Sequence, residues 1–300
     1  MKIKVKVPAT SANLGAGFDV FGLAVNLFNE FVVADSDRFE MIINGEKGNL
    51  TLTPENLFYK SFKYLFERLK MKIPQVKITM NIQIPQGRGL GSSATAVVGG
   101  LMCANVFLSG KYSREDLLPF AIKLEHGNNP DNVSPAIFGG LIVITSVDKK
   151  IIYTKNPFPL NLKAIYFIPD FEMDTAATRK LMPKIYSKED VVFSTGRVAL
   201  FLSAIHRKQY NLLGVAMQDR IHQPTRVKLF PLMPKLIEAA LSAGAYGAAL
   251  SGGGSSIIAL ADHNLEKIAQ SINLQAKENQ ISGKTLIVDI NKAGAIVSQY

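Results

Sequence analysis

The stretch "IPQGRGLGSSATAVVGG", residues 84–100, constrains the fold of this chain more than any other. Gly87, Gly89 and Gly91 alternate with larger residues, and Ser92 and Ser93 follow. The segment joins an alternating run, "QVKITMNIQIP", to an apolar run of helical character, "ATAVVGGLMCANVFL". Glycines at this density let a backbone take positive φ and come close to a ligand. A helix that opens directly behind them offers free N–H groups and the positive end of its dipole. The expectation is a loop that curls around phosphates, with serine hydroxyls available to a phosphate or to Mg²⁺. The plainer reading is a tight strand-to-helix turn with glycines for packing.

Two other phosphate loops fit less well. A Walker loop needs a lysine near its end, and "GLGSS" has none. The "GKT" at 283–285 fails because Glu278 stands where the upstream glycine belongs and a strand follows. A dinucleotide loop is formally satisfied by Gly89, Gly91 and Ala94. It also needs a second parallel strand after the helix, and here a second helix, "REDLLPFAIKLE", follows instead.

A chain of 300 residues with 47% hydrophobic residues can bury one large core or two moderate ones. The formal charge of +10 is spread along the chain without a basic block. It reads as a solvated basic surface, or as attraction for an anion such as a nucleotide triphosphate. No aromatic-basic motif accompanies it, so no nucleic-acid partner is expected. Cys103 is the single cysteine, which excludes an internal disulfide and any multi-cysteine metal site. No apolar run is long enough to cross a bilayer and no signal peptide is visible. The expectation is a cytoplasmic protein without a membrane partner.

Ile3, Val5 and Val7 alternate with lysines, a half-buried strand that Pro8 should stop. Further strands are expected at "FNEFVVADS", "FEMIING", "GGLIVITSV", "KAIYFIP", "YGAALSG" and "SSIIALA", with "KTLIVDI" as the last. Helices are expected at "ENLFYKSFKYLFERLK", at "SREDLLPFAIKLEHG" with Ser113 as N-cap, at "STGRVALFLSAIHRK", at "YNLLGVAMQDR", at "MPKLIEAALSAG" and near "NLEKIAQSINLQAKEN". The composition shifts at "KNPFPLNL", residues 155–162. The mixture of strands, helices and hairpin-like adjacencies reads as α+β with two domains.

Two more segments add to the glycine loop. "PATSANLGAGFDVFGLAV" (8–25) carries Asn13 and Asp19 around Gly15 and Gly17, and "ALSGGGSSIIAL" (249–260) is a glycine-rich turn between apolar strands. In this order and spacing the three resemble the signature motifs of the GHMP small-molecule kinases over nearly the whole chain. The run from Pro85 to Ala94 is the most specific piece. The first motif, with "PDNVSPAIFGG", "DTAATRKLMP" and "DRIHQPTRVKLFP", is most similar to the homoserine kinase branch of that family. The resemblance implies a two-domain GHMP kinase fold. A ribosomal-S5-domain-2-like N-terminal domain would span 1–158, and a ferredoxin-like C-terminal domain 159–300. It also implies a homodimer, and transfer of the γ-phosphoryl group of ATP to the hydroxyl of L-homoserine with Mg²⁺. Other members of the family and a non-catalytic GHMP-fold ligand sensor are the alternatives.

Homoserine carries an ammonium, a carboxylate and a primary hydroxyl. Arg179 and Arg226 suit the carboxylate, because a guanidinium fork matches two oxygens. Asn13 and Asp19, six apart in one loop, suit the ammonium and hydroxyl. Asp131 and Asn132 are expected in a loop entering a buried strand, and the resemblance implies that they lie near the same site. By resemblance, Glu125 binds Mg²⁺ together with Ser92 or Ser93. Asn56 matches an adenine-contacting asparagine, and reads equally as a helix N-cap. Thr175 matches a threonine near the reactive hydroxyl. The phosphates fall to Pro85, Gly87, Arg88, Gly89, Leu90, Gly91, Ser92, Ser93 and Ala94. The resemblance implies no dedicated base, with Asp19 as the one candidate. Two departures stand out. Asn129 or His126 occupies a region where the family carries a substrate-site histidine, and Arg88 stands where a small residue is usual.

Overall fold

Alternation builds the first strand. Ile3, Val5 and Val7 are fully buried, and the lysines between them lie on the other face. The computed structural model describes residues 1–46, 48, 50–125, 130–148 and 150–300, without the side chains of 175 and 176. Strand β1 (Lys2–Asn13) runs on past Pro8, which the sequence placed at its end. Pairing of β1 with β2 (Gly17–Asp35) shifts register between Pro8 and Ala9. A proline is tolerated there because the ladder is already interrupted.

β3 (Glu40–Gly45), helix α1 (Leu57–Arg68), β4 (Val76–Ile82), α2 (Ser92–Phe107), α3 (Arg114–Leu124) and α4 (Pro130–Phe138) follow. β5 (Leu141–Val147) and β6 (Lys150–Asn156) form an antiparallel hairpin. Ser113 caps α3 as expected, and Asp116 completes a capping box with it. The second half of the chain holds β7 (Lys163–Pro169), α5 (Thr175–Lys180), α6 (Lys188–Arg207), α7 (Leu213–Ala216), α8 (Gln223–Arg226), α9 (Met233–Ser242), β8 (Gly247–Leu250), β9 (Ile257–Ala261), α10 (Leu265–Glu278), β10 (Gly283–Asp289) and β11 (Ile296–Gln299).

Two sheets result. The first has seven strands, in the order β11-β1-β2-β4-β3, with β5 on β2 and β6 on β5. Its inner face packs Phe31, Val33, Ile78 and Met80 against Phe58 and Phe62 of α1 and Val97 and Leu101 of α2. The second sheet has four strands, in the order β10-β7-β9-β8. The continuous apolar run "KAIYFIP" has the signature of a strand buried on both faces. Ile165 and Phe167 of β7 meet Leu236 of α9 and Ile268 of α10. Ala164, Tyr166 and Ile168 face the other way, in a cluster with Phe201 of α6, Leu213 of α7 and Leu14 and Leu23 of the first hairpin. That cluster joins the two sheets. The expected boundary at 158/159 falls between β6 and β7, and β11 then returns to pair with β1.

Several local expectations are corrected. Asp131 and Asn132 lie in the first turn of α4, not in a loop. Asn13 ends β1 and Asp19 belongs to β2, so the two sit on strands that flank a tight turn rather than in one loop. "YNLLGVAMQDR" forms a 3-10 turn at Tyr210–Leu212 and the four-residue α7. β10 is not the last strand, because "IVSQ" adds β11.

Candidate active site

The glycine loop connects β4 to α2, and its shape is forced by what surrounds it. Gly89 has φ +71, and a Cβ there would lie 2.0 Å from the carbonyl oxygen of Ser251. Gly91 is the N-cap of α2 with φ +69, and a Cβ would meet Thr10 Oγ1 at 2.0 Å. Neither position has room for a side chain, and both need the left-handed region.

Asn29, on β2, holds the loop at both ends. Its Oδ1 accepts from the N–H groups of Gln83 (2.9 Å) and Ile84 (3.0 Å), and its Nδ2 donates to Thr95 Oγ1 at 2.8 Å. Thr95 passes the link on to the Ser92 carbonyl at 2.7 Å. Ser92 Oγ closes the mouth by donating to the Ile84 carbonyl at 3.2 Å. Thr10 N–H donates to the Leu90 carbonyl (3.1 Å), and Thr10 Oγ1 to Asn132 Oδ1 (2.9 Å). Gln83 to Ser93 is thus a fixed cradle that leads from Pro85 into Ala94, which is buried in the first turn of α2.

The turn between β8 and β9 docks on this cradle. Ser251 Oγ donates to the Gly89 carbonyl at 2.6 Å and receives the Ser11 hydroxyl at 2.7 Å. Ser256 N–H donates to the Arg88 carbonyl at 3.1 Å. Gly252 N–H reaches the Ala12 carbonyl at 3.0 Å. The Gly252 carbonyl accepts from Asn13 Nδ2 (3.0 Å) and from Arg226 Nη1 (2.7 Å). The three glycine-rich segments therefore meet, and Arg226 stands at their junction.

Charge is concentrated beside that junction. Arg226 is 1% exposed, which is rare for a guanidinium. Its Nη1 also contacts His222 Nδ1 at 2.6 Å, and His222 Nε2 lies 2.8 Å from the Gly15 carbonyl. Arginine can only donate, so Nδ1 accepts and Nε2 carries the proton that goes to Gly15. Burial and the neighbouring Arg226 agree with a neutral ring: the His222 pKa is pushed down to about 4. Burial, then Arg179, lowers the Arg226 pKa to about 10. Among the described residues no carboxylate pairs directly with Arg226, and its Nε has no partner. Arg179 forks Asp19, with Nη1 on Oδ2 at 3.1 Å and Nη2 on Oδ1. Phe18 lies between them, its ring 5.2 Å from Arg179 Cζ and 5.7 Å from Arg226 Cζ. Asp19 N–H donates to Asn13 Oδ1 at 3.1 Å. Asp131 is buried, and burial followed by the charge of Asp19 raises its pKa to about 7.

Glu125 caps the end of α3 and accepts the Ser93 hydroxyl at 3.1 Å. Burial is the main cause that pushes its pKa up to about 7. Ser92 and Ser93, equivalent by sequence, are separated by the fold: only Ser93 reaches Glu125. A serine oxygen beside a carboxylate held from water is a hard-oxygen set that suits Mg²⁺, an ion that keeps water and phosphate as its other ligands. Among the described residues no cluster of three His, Cys, Asp or Glu side chains forms.

Asn56 is buried at the start of α1. Its Oδ1 caps the Phe58 N–H at 2.9 Å and its Nδ2 donates to the Thr51 carbonyl at 2.8 Å. Thr175 opens α5, and its side chain lies outside those described, as do His126 and Asn129 altogether. Sequence reasoning missed Asn29 and Asp219. Asp219 accepts from the N–H groups of Ile221 (2.9 Å), His222 (2.8 Å) and Gln223 (2.7 Å), and so aims α8 and Arg226. A lone amide inside the apolar strand "LFNEFVVAD" was the available signal for Asn29.

The sequence profile of the GHMP kinases N terminal domain matches residues 56–140, and that of the GHMP kinases C terminal matches residues 201–278. The homoserine kinase of Persephonella marina is 40% identical over 295 residues, covering 98% of this chain and 97% of that protein. The homoserine kinase of Caldicellulosiruptor bescii is 40% identical over 298 residues, covering 98% and 96%. The crystal structure of homoserine kinase from Cytophaga hutchinsonii superposes with a TM-score of 0.89 at 34% identity, covering 99% of this chain and 97% of that one. With the matched family profiles and this likeness over nearly all its length, the chain belongs to the homoserine kinases of the GHMP kinase family.

Proposed function

We propose that this protein transfers the γ-phosphoryl group of ATP to the side-chain hydroxyl of L-homoserine, giving O-phospho-L-homoserine, a step toward threonine. The observation that carries the reading is the position of Arg226. It is a buried guanidinium, and through Gly252 and Ser251 it is one hydrogen-bond chain away from Gly89 of the cradle. A cation there, with Arg179 beside it, answers an amino-acid carboxylate next to a triphosphate.

Phosphoryl transfer asks mainly for alignment and for charge stabilisation. In this reading the main chain from Gly87 to Ser93 holds the β- and γ-phosphates. Ser93 and Glu125 hold Mg²⁺, which when bound neutralises phosphate charge. Ser92 closes the loop. Asn56 fixes the entry of α1 on the adenine side. Arg179 and Arg226 take the substrate carboxylate. Asn13, Asp19, Asp131, Asn132 and Thr175 surround its ammonium and hydroxyl, with Asp19 as a substrate ligand. The reaction then rests on alignment and has no dedicated base. The assembly we propose is a cytoplasmic homodimer, which sedimentation tests.

ATP consumption measured with homoserine, serine, threonine, shikimate and mevalonate decides the reading. Turnover with homoserine above the others is expected. Preference for another alcohol moves the protein to a different GHMP kinase activity, and no turnover with any favours a ligand sensor.

A further inference from the structure

Arg88 stands between two glycines of the cradle, but its side chain serves a different part of the molecule. Its Nη2 donates to the Asp170 carbonyl, its Nη1 lies 3.6 Å from Glu172 Oε1, and Nη1 also reaches the Gln86 carbonyl at 3.5 Å. The side chain is 13% exposed. Residues 170–174 form the strap that leaves β7 and enters α5, the short helix that carries Arg179. Other contacts hold the same strap. Met173 N–H donates to the Gly87 carbonyl at 2.9 Å, and Ser255 Oγ donates to the Phe171 carbonyl at 2.7 Å. The Phe171 ring stands edge-on to Phe230, with centroids 5.0 Å apart. Phosphate cradle and glycine turn thus grip the strap jointly, and Arg88 is the charged part of that grip.

We propose that Arg88 is a positioning residue for the amino-acid half of the site: it braces the 170–174 strap and so sets where α5 holds Arg179. The proposal rests on the homoserine kinase reading. The physical reason is the length of α5. A six-residue helix is placed by its ends, and Arg88 with Gly87 fixes the N-terminal one. A shift of about 1 Å in a positioning group is enough to lower turnover substantially. The guanidinium is the side chain able to donate to a carbonyl and face a carboxylate with one rigid plane.

Steady-state kinetics of Arg88→Ala with each substrate varied in turn tests this. The KM for homoserine is expected to rise about tenfold, and the KM for ATP to change by less than about twofold. Arg88→Lys, which keeps a donor for the Asp170 carbonyl, is expected to recover part of the loss. ADP binding followed by calorimetry checks that the variant is folded. If alanine does not give a folded protein, Arg88→Gln replaces it with the same split expected. A rise confined to the KM for ATP makes Arg88 a phosphate ligand and overturns the proposal. So does an equal rise in both, or no change in either. A wild-type protein that turns over no homoserine sinks the activity reading instead, an outcome distinct from an active wild type with an indifferent variant.

Discussion

Arg179 grips the carboxylate of Asp19 with both terminal nitrogens across 160 residues of sequence, one contact at 3.1 Å. That terminal fork is thus occupied by a carboxylate of the protein, and in the proposed reading a substrate carboxylate would share the guanidinium with Asp19. Arg179→Lys keeps the charge and loses the fork. The expected result is a KM for homoserine raised roughly tenfold or more, with the KM for ATP unchanged. Asp19→Asn separates two roles: a ligand variant loses KM, and a base variant loses kcat. We expect the loss in KM.

Ser93 and Glu125 make a second expectation. Glu125→Gln removes the charge and keeps the size. Steady-state rates at varied Mg²⁺ are expected to show activity reduced about a hundredfold or more, with a weaker Mg²⁺ dependence. Ser92→Ala is expected to affect activity less than Ser93→Ala, because the Ser92 hydroxyl is directed at the Ile84 carbonyl.

Asn29 is buried and bound to residues at both ends of the loop, so its removal should be felt in the cradle. Asn29→Ala leaves the buried N–H of Ile84 without its acceptor and removes the donor to Thr95, whose hydroxyl keeps only the Ser92 carbonyl. The expected destabilisation is about 1–3 kcal/mol in denaturant unfolding. The KM for ATP should rise more than the KM for homoserine. Equal effects on both would mean that Asn29 supports the fold and not the loop.

Asp131 makes stability depend on pH. Its pKa rises from 3.8 to about 7 because burial and Asp19 disfavour the charged form. An acid whose folded pKa is raised supports the fold below its unfolded pKa, and that support is lost as pH rises through about 7. Asp131→Asn has no charge to bury. In the absence of ligands it is expected to be more stable than wild type at pH 8, by on the order of 4 kcal/mol. The gap should close toward pH 4. Melting curves at the two pH values check this, and a gap independent of pH would refute it.

The sequence by itself determined the glycine loop, the Ser113 cap of α3 and the apolar run of β7, because each depends on local backbone freedom, capping or side-chain period, and the order of its three glycine-rich motifs carried the family resemblance. It also supplied the two arginines as candidates. Only the tertiary structure decided that Ser93 and not Ser92 meets Glu125, since neighbouring serines differ only in which partner the helix turns them toward. The same holds for Asn29, Asp219 and His222, whose contacts close loops across the chain and leave no mark at fixed spacing. Pro8 within β1, Asp131 in a helix and the return of β11 to the first sheet were likewise decided by pairing and packing between distant segments. Local propensity competes with those interactions and, at these positions, is the weaker term.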